Sequence, residues 1–250
     1  MNNDPIIIEY LFRLENDSEE YFKIRLDRDT LELQPENTDN LPHWTEMAFS
    51  RCPQCRLSPE TSHCPPAVNL FPIIQRFEKI ISFDTVNLQV TTEERVIVQK
   101  TTAQKALGSI IGLVIASSAC PDTSFFKPMA RFHLPLANEE ETFFRATSTF
   151  MLLQYFTSKM GGLPDFNLEG LKKIYLDIQK INVELAHRLR TASNTDSSIN
   201  AIVLLDMYAK SMPYVITHSL EELRYLFEPF LKSSQSDVSP PDHSANPKLP

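Results

Sequence analysis

Glycine is scarce in this sequence, and the glycine-rich motifs that bind phosphate are absent. Only 5 of the 250 residues are glycine, and neither G-x-x-x-x-G-K-S/T nor G-x-G-x-x-G occurs. Such loops need backbone amides that approach a phosphate closely, which glycine permits. The G-x-S-x-G turn of α/β-hydrolases is absent as well. These absences exclude the common nucleotide-binding and serine-hydrolase fingerprints.

The sequence has no apolar run that is long enough to cross a bilayer. Its most apolar stretch, residues 106–119, has 14 residues, whereas a transmembrane helix needs about 20. The first residues lack the basic segment of a secretory signal, and Ile6–Ile8 is too short for its apolar segment. We therefore expect a soluble, cytoplasmic chain with no membrane partner, in which residues 106–119 form a buried helix.

Negative charge is concentrated at the N-terminus. The net charge is −8, and residues 1–50 hold 12 acidic against 4 basic side chains, so this segment accounts for the whole excess. A surface of that sign repels phosphate backbones. We expect it to keep the protein in solution, and nucleic-acid binding is not favoured.

The first 101 residues predict a β-rich half. Alternation of apolar and polar residues, or a run of β-branched and aromatic residues, is typical of antiparallel strands that bury one face. These patterns predict strands at residues 6–14, 21–26, 30–33, 85–90 and 96–98. Residues 41–49, around Trp44, favour a further short strand over a helical turn. A helix is predicted at residues 67–81, with Pro72 near its first turn.

From residue 102 the apolar residues follow the 3.6-residue period of helices. Asn138 before three glutamates marks a helix start, and Pro213 is expected to begin the last helix. The predicted helices cover residues 102–119, 138–160, 167 onward, 196–210 and 212–231, with an irregular stretch at 121–135. The tail, residues 233–250, is polar and rich in serine and proline, so we expect it to be disordered.

These patterns together predict an α+β fold with two halves. N-terminal antiparallel strands and a cysteine loop at residues 51–66 form the first half, residues 1–101. Residues 102–232 form an all-helical second half that packs as one body with the first.

Cysteine supplies the one chemically distinctive pattern. Cys52 and Cys55 form a C-x-x-C, and Cys64 follows in the same proline-rich loop. Two thiolates at the C-x-x-C spacing can face one tetrahedral metal ion. Without a secretory signal, such thiols are expected to be reduced and to bind metal rather than to form disulfides.

A closed structural zinc site needs a fourth ligand. Cys120, at the end of the first C-terminal helix, is the preferred candidate, and His63 is the local alternative. Three of the four cysteines, Cys52, Cys64 and Cys120, precede proline. Iron–sulfur cysteines often precede proline too, so this pattern does not by itself select zinc. We expect zinc ahead of an iron–sulfur cluster. A redox C-x-x-C ranks third, and free structural thiols are the remaining alternative.

Two further groups of polar residues have the spacing or the position of a functional site. Glu184 and His187 have the Glu-x-x-His spacing of di-iron bundles, but no second copy of the motif lies on a helix, so a solvated helix face is the better interpretation. Arg131 and His133 lie near the start of a helix and suggest a pocket with an acid–base histidine. Helix capping with ion pairs and a hydrogen-bonded histidine is the preferred interpretation.

The order of several motifs resembles an uncharacterised bacterial domain-of-unknown-function family. The motifs are CPQC at 52–55, CP at 64–65, TTAQ at 101–104, CP at 120–121 and MARFHLP at 129–135. The resemblance covers the chain up to about residue 231. It implies that Cys120 joins the loop cysteines and that the protein is bacterial and cytoplasmic. It implies no activity, substrate or cofactor.

The sequence therefore favours a non-enzymatic, zinc-stapled protein that acts in binding or assembly, with a protein partner or with itself. The alternative from another class is a metalloenzyme, or an iron–sulfur or thiol redox protein, that uses the same cysteine cluster. Metal occupancy and visible absorption distinguish the two.

Overall fold

The N-terminal half folds into one antiparallel sheet of four strands. In the computed structural model, which describes residues 4–34, 40–77, 80–192, 196–216 and 220–236, the strand order is β2-β1-β3-β4. The strands are β1 (Ile6–Leu14), β2 (Glu19–Leu26), β3 (Thr85–Thr91) and β4 (Val96–Thr102). Tyr10 on the central strand β1 is opposite Phe22 on β2 and Val90 on β3.

Alternate residues of β1, β2 and β3 face the core, as the period-two pattern predicts. Their buried side chains are Ile6, Ile8, Tyr10, Phe12, Phe22, Ile24, Leu26, Val86, Leu88 and Val90. The edge strand β4 differs, because Val96 and Val98 are exposed. The sheet therefore has one face covered by helices.

Seven α-helices occur within the described residues. They are α1 (Pro65–Arg76), α2 (Ala103–Ser117), α3 (Lys127–Arg131), α4 (Glu139–Lys159), α5 (Glu169–Ala192), α6 (Ser197–Tyr214) and α7 (Glu228–Ser236). Short 3-10 segments lie at His43–Thr45, Pro121–Phe126 and Leu220–Leu226. Antiparallel strands followed by helices confirm the predicted α+β class.

Four local predictions differ from the structure. Residues 30–33 form no strand, because only Leu33 makes an isolated bridge, to Leu26. Trp44 lies in a 3-10 turn rather than a strand. The stretch predicted to be irregular contains a 3-10 turn and α3. Pro213 lies inside the last turn of α6 and does not begin a new helix.

The first helix also begins earlier than predicted. α1 starts at Pro65, so Pro72 falls in its interior, and the helix ends at Arg76. Proline fits the first turn of a helix because the amide it lacks has no partner there. Two prolines at the start, Pro65 and Pro66, occupy that position and leave Pro72 about two turns further in. Of the tail predicted to be disordered, residues 237–250 lie outside the described residues.

The hydrophobic core runs without a break from the sheet into the helical half. Helix α2 is at its centre, with 11 of its residues buried, and it separates the sheet from α6. On the side of α6, a methyl group added at Gly108 would lie 3.7 Å from the carbonyl oxygen of Ala201. The two helices therefore pack closely at this point, as small residues permit.

Candidate metal centre

The cysteine loop is closed at its base by a backbone hydrogen bond. The amide of Cys64 donates to the carbonyl of Thr45 at 2.8 Å. Inside the loop, the amide of Cys55 donates to the carbonyl of Cys52 at 3.1 Å. The C-x-x-C pair thus lies in a hydrogen-bonded turn, with Cys64 held at the far end of the loop.

Cys64 and Cys120 each stand immediately before a helical turn. Cys64 is the N-cap of α1, and Cys120 precedes the 3-10 segment that follows α2. Burial is the largest influence on both thiols and raises the pKa of Cys64, and that of Cys120 to about 11. Backbone amides oppose this effect: Ala67 donates to the sulfur of Cys64, and Asp122 and Thr123 to that of Cys120. Such donors favour a thiolate or a metal-bound sulfur.

Cys52 lies near the other three cysteines. Burial, followed by the charges of Cys64, Cys120, Cys55 and Glu184, raises the pKa of Cys52 to about 12. All four cysteines are free thiols. Among the described residues, however, no group of three or more His, Cys, Asp or Glu side chains stands ready to hold a metal ion. The structure gathers the four predicted ligands in one region, and the metal itself stays a prediction.

An ion pair joins the cysteine loop to the turn that contains Cys120. Arg56 Nε lies 2.5 Å from Asp122 Oδ1, and its Nη2 donates to the carbonyl of Pro121 at 2.6 Å. Arg56 directly follows Cys55, and Asp122 lies two residues after Cys120. These bonds therefore bring the two parts of the cysteine cluster together from outside the cluster.

His63, the alternative fourth ligand, is engaged elsewhere. Its Nδ1 lies 2.9 Å from the hydroxyl of Thr45, and its backbone forms an isolated bridge with Glu46. Cys120, by contrast, lies close enough to alter the pKa of Cys52. The arrangement favours Cys120 over His63 as the residue that completes the cluster.

Arg188 of α5 is the most deeply buried charged side chain near the cluster. It is 1% exposed and donates to the carbonyls of Trp44, Glu46 (2.8 Å) and Ser50 (2.6 Å). Within the described residues, no carboxylate forms an ion pair with this guanidinium. Its positive charge acts instead on Cys64, where it lowers the pKa of the thiol.

Glu184, one turn before Arg188, and His187, directly before it, contact the residues that lead into the cysteine loop. Ser50 Oγ donates to Glu184 Oε2 at 2.5 Å and lies 3.1 Å from His187 Nδ1. The His187 ring stacks on Phe49 at a centroid distance of 5.3 Å. The interpretation of these residues as a solvated helix face is therefore incomplete, because both anchor the segment that leads into the cysteine loop to α5.

The second group of polar residues, around His133, caps a helix and contains a hydrogen-bonded histidine, as the sequence indicates. Asn138 accepts from the amide of Glu141, and Glu141 accepts from that of Asn138, both at 2.8 Å, so the pair caps α4. His133 Nε2 is hydrogen-bonded to the hydroxyl of Tyr10 in the core. Burial, and then the charge of Arg145, lower the pKa of His133 to about 3. The imidazole is therefore neutral at physiological pH.

Sequence reasoning missed Arg188, Ser50 and Asp122, which hold the cluster in place. All three act through chain-distant partners, so no local spacing reveals them. A sequence signal does exist for Arg188. It falls between Leu185 and Leu189, on the apolar stripe of α5, where a charged residue needs a buried partner.

A comparison with protein families gives one match over most of the chain. The family described as "Domain of unknown function (DUF6901)" matches residues 8–228. The chain belongs to this family. The resemblance to an uncharacterised domain family is thus confirmed, and membership brings no activity or cofactor with it. Searches of curated proteins and of solved structures give no match.

Among the described residues, no single helix is long and apolar enough to span a membrane. One pair of segments, Ala103–Ser117 with Pro121–Arg131, meets the length and composition test together but is bent by 116°.

Proposed function

We propose that the protein is a non-enzymatic binding or assembly module whose Cys52, Cys55, Cys64 and Cys120 hold one zinc ion. The observation that carries this proposal is the placement of Cys120. It comes from the end of α2, yet its charge acts on the thiol of Cys52 in the loop. Four sulfur ligands correspond to a closed structural zinc site, which keeps no position open for a substrate.

The charge of the surroundings supports this ligand set. Four thiolates around Zn²⁺ carry two net negative charges, and a buried site needs compensating positive charge. Arg188 supplies one such charge, since its guanidinium is buried, lacks a carboxylate partner among the described residues and acts on Cys64. Backbone amides at Cys64 and Cys120 contribute further stabilisation of the sulfurs.

Zinc bound in this way would join the two halves of the chain. Three ligands belong to the loop between the first strands and α1, and the fourth follows α2. Since the four sulfurs do not form a ready ligand set in the described structure, binding would draw the loop onto the turn at Cys120. The ion pair between Arg56 and Asp122 already spans that gap.

The helical half supports binding or assembly as the role of the module. One face of α4 exposes large apolar side chains, including Leu152 (57%) and Phe156 (53%), and Leu163 after the helix is 95% exposed. Contiguous exposed apolar residues are typical of surfaces that contact another protein. Self-association is the simplest form to measure, by sedimentation velocity. Leu152→Glu should shift the distribution to the monomer if α4 is the contact.

We further place the protein in a bacterial cytoplasm. The cysteines are free thiols, which persist in a reducing compartment. The bacterial setting rests on the family resemblance of the motifs.

Elemental analysis of the purified protein tests the metal. We expect about one zinc per chain in the wild type. Cys120→Ser should lower the zinc content, and Ser124→Ala, which alters an exposed residue in the same turn, should leave it unchanged. Cys52→Ser should lower the melting temperature, because binding energy of a structural metal is also folding energy.

Three results contradict the proposal, each in a different way. If the wild-type protein contains no metal and is equally stable in chelator, it has no structural zinc site. A brown protein with visible charge-transfer absorption indicates an iron–sulfur cluster and the redox alternative. Cys120→Ser protein that keeps its zinc excludes Cys120 as a ligand and leaves His63 as the candidate.

A further inference from the structure

A cavity on the other side of α5 is separate from the cysteine cluster and has the properties of a ligand site. Its volume is about 430 Å³, within the range of small-molecule pockets. It lies between α2, α4, α5 and α6, and most of its lining is apolar. Polar side chains interrupt that lining, and three of them, Asn182, Arg145 and Tyr175, bear on which ligand would fit.

Asn182 is the first of these polar side chains. It lines the cavity from α5, is 3% exposed, and its Nδ2 atom has no hydrogen-bond partner. A buried donor without an acceptor is costly, and native structures contain few of them. A ligand with an oxygen at this point would satisfy it.

Arg145 of α4 is the second. Its Nη2 donates to the carbonyls of Met129 and Phe132, both at 2.9 Å, and burial lowers the pKa of its guanidinium. None of the described residues forms a carboxylate ion pair with it, and Glu141 acts on it only at longer range. The guanidinium retains donors for an anion, because it carries five N–H groups in all.

The other charged groups at the cavity do not oppose an anion there. His133 is neutral at physiological pH because of its burial. Lys105 and Glu139 are exposed and carry opposite charges. Tyr175 lines the cavity close to Arg145, since the charges of the two groups influence each other.

The positions of these groups set the length of the ligand. Tyr175 and Asn182 are seven residues apart on one face of α5, which corresponds to about 10 Å along the helix. Arg145, which is close enough to Tyr175 to influence its pKa, therefore lies about two turns of α5 from Asn182. Apolar residues of α2, α5 and α6, among them Ile178 and Leu205, line the space between.

We propose that this cavity binds an elongated apolar carboxylic acid with a second oxygen acceptor about 10 Å from its carboxylate. The carboxylate contacts Arg145, and the second oxygen accepts from Asn182 Nδ2. The proposal does not depend on the zinc site, because it uses none of the cysteines.

Binding of three matched probes to the full-length protein tests this assignment by calorimetry. ω-Hydroxydecanoate has both groups, decanoate lacks the second oxygen, and decanediol lacks the carboxylate. We expect ω-hydroxydecanoate to bind about three- to tenfold more tightly than decanoate, and at least about tenfold more tightly than decanediol.

Asn182→Leu supplies the control that a general effect on folding would not reproduce. It removes the unpaired donor and keeps a similar volume, so the ligand-free variant should be at least as stable as the wild type. Affinity for ω-hydroxydecanoate should fall to that for decanoate, while affinity for decanoate should not change. Arg145→Lys should weaken both acids and leave decanediol unaffected.

The inference is overturned by any of four results. These are no detectable binding of the three probes, equal affinity for decanediol and ω-hydroxydecanoate, equal affinity for the two acids in the wild type, and an equal loss for all probes in Asn182→Leu. Circular dichroism of each variant confirms that the comparison is made on folded protein.

Discussion

Replacement of Arg188 by methionine removes the buried charge that holds the segment before the cysteine loop to α5. Methionine fills much of the same space with an apolar side chain but donates no hydrogen bond. The carbonyls of Trp44, Glu46 and Ser50 lose the hydrogen bonds from the guanidinium in the variant, and that of Glu46 keeps only the longer bond from the amide of Phe49, at 3.2 Å. Water has little access to them, because Arg188 is 1% exposed and Trp44 and Ser50 are buried.

The expected loss of stability follows from those bonds. A hydrogen bond from a charged donor contributes about 1.5–3 kcal/mol, so three such bonds lost together exceed about 4 kcal/mol. Relief from burying the guanidinium offsets part of this loss, because a buried charge carries a desolvation penalty. We therefore expect Arg188→Met to lower the free energy of unfolding by about 4 kcal/mol, a large share of the roughly 5–15 kcal/mol of a typical domain.

Urea denaturation of both proteins, followed by circular dichroism, measures this difference. Arg190→Met is the matched control, since Arg190 is exposed two residues further along the same helix, and it should change stability by less than about 0.5 kcal/mol. A loss below about 1 kcal/mol for Arg188→Met would refute the assigned role of the arginine. If zinc binds nearby, the same variant should also bind it more weakly.

Three further predictions concern other parts of the fold. Gly112→Ala should stabilise the protein by about 0.5–1 kcal/mol in thermal unfolding, because alanine favours helices and the new methyl group would lie 3.5 Å from Leu205 Cδ2, an ordinary contact. A loss of stability would show that α2 and α6 pack more tightly than described. His133 has a depressed pKa of about 3, so the unfolded state binds its proton first, and stability should fall as the pH decreases from about 6.5 toward 3, by up to about 5 kcal/mol. His133→Phe should flatten that part of the pH profile, and an unchanged profile would assign it to other groups. Asp122→Asn should cost less than about 1 kcal/mol, because its partner Arg56 is exposed, yet it should weaken zinc binding if the ion pair positions Cys120.

The elements that sequence reasoning found are those with strong local signals. The strands of the sheet follow period-two alternation, as at Ile6, Ile8 and Tyr10, all of which are buried. The start of α4 was found from Asn138 and its glutamates, and the capping box is present. Such patterns depend on neighbouring residues alone, which is why they can be recognised from one sequence.

The misplaced elements depend on tertiary contacts. The segment around Trp44 has the composition of a strand. It forms a 3-10 turn instead, and the carbonyl of Trp44 in this turn accepts a hydrogen bond from Arg188. Because proline lacks an amide donor, the sequence predicts Pro213 at a helix start. It is instead accommodated in the last turn of α6, where Met212 and Ala209 hold the helix in the core.

The candidate site was predictable in its residues but not in its supports. Spacing identified the loop cysteines, and Cys120 was added because its chain turn and the family resemblance pointed to it. The residues that position the cluster, Arg56 and Arg188 among them, could not be assigned from sequence. Their partners are distant in the chain, and a charged residue on a helix is usually on a solvated face.

Helix α5 is shared by the two candidate sites. Asn182 and Tyr175 line the cavity on one side of α5. On the other side, Glu184 and Arg188 bind Ser50, the residue that leads into the cysteine loop. If binding of one ligand shifts α5, the affinity of the other site would therefore change. Thermodynamic linkage then requires that metal and acid change each other's affinity by the same factor. Equal affinities for the acid with and without zinc would show that α5 keeps the two sites independent. Unequal affinities would show that α5 couples the two sites.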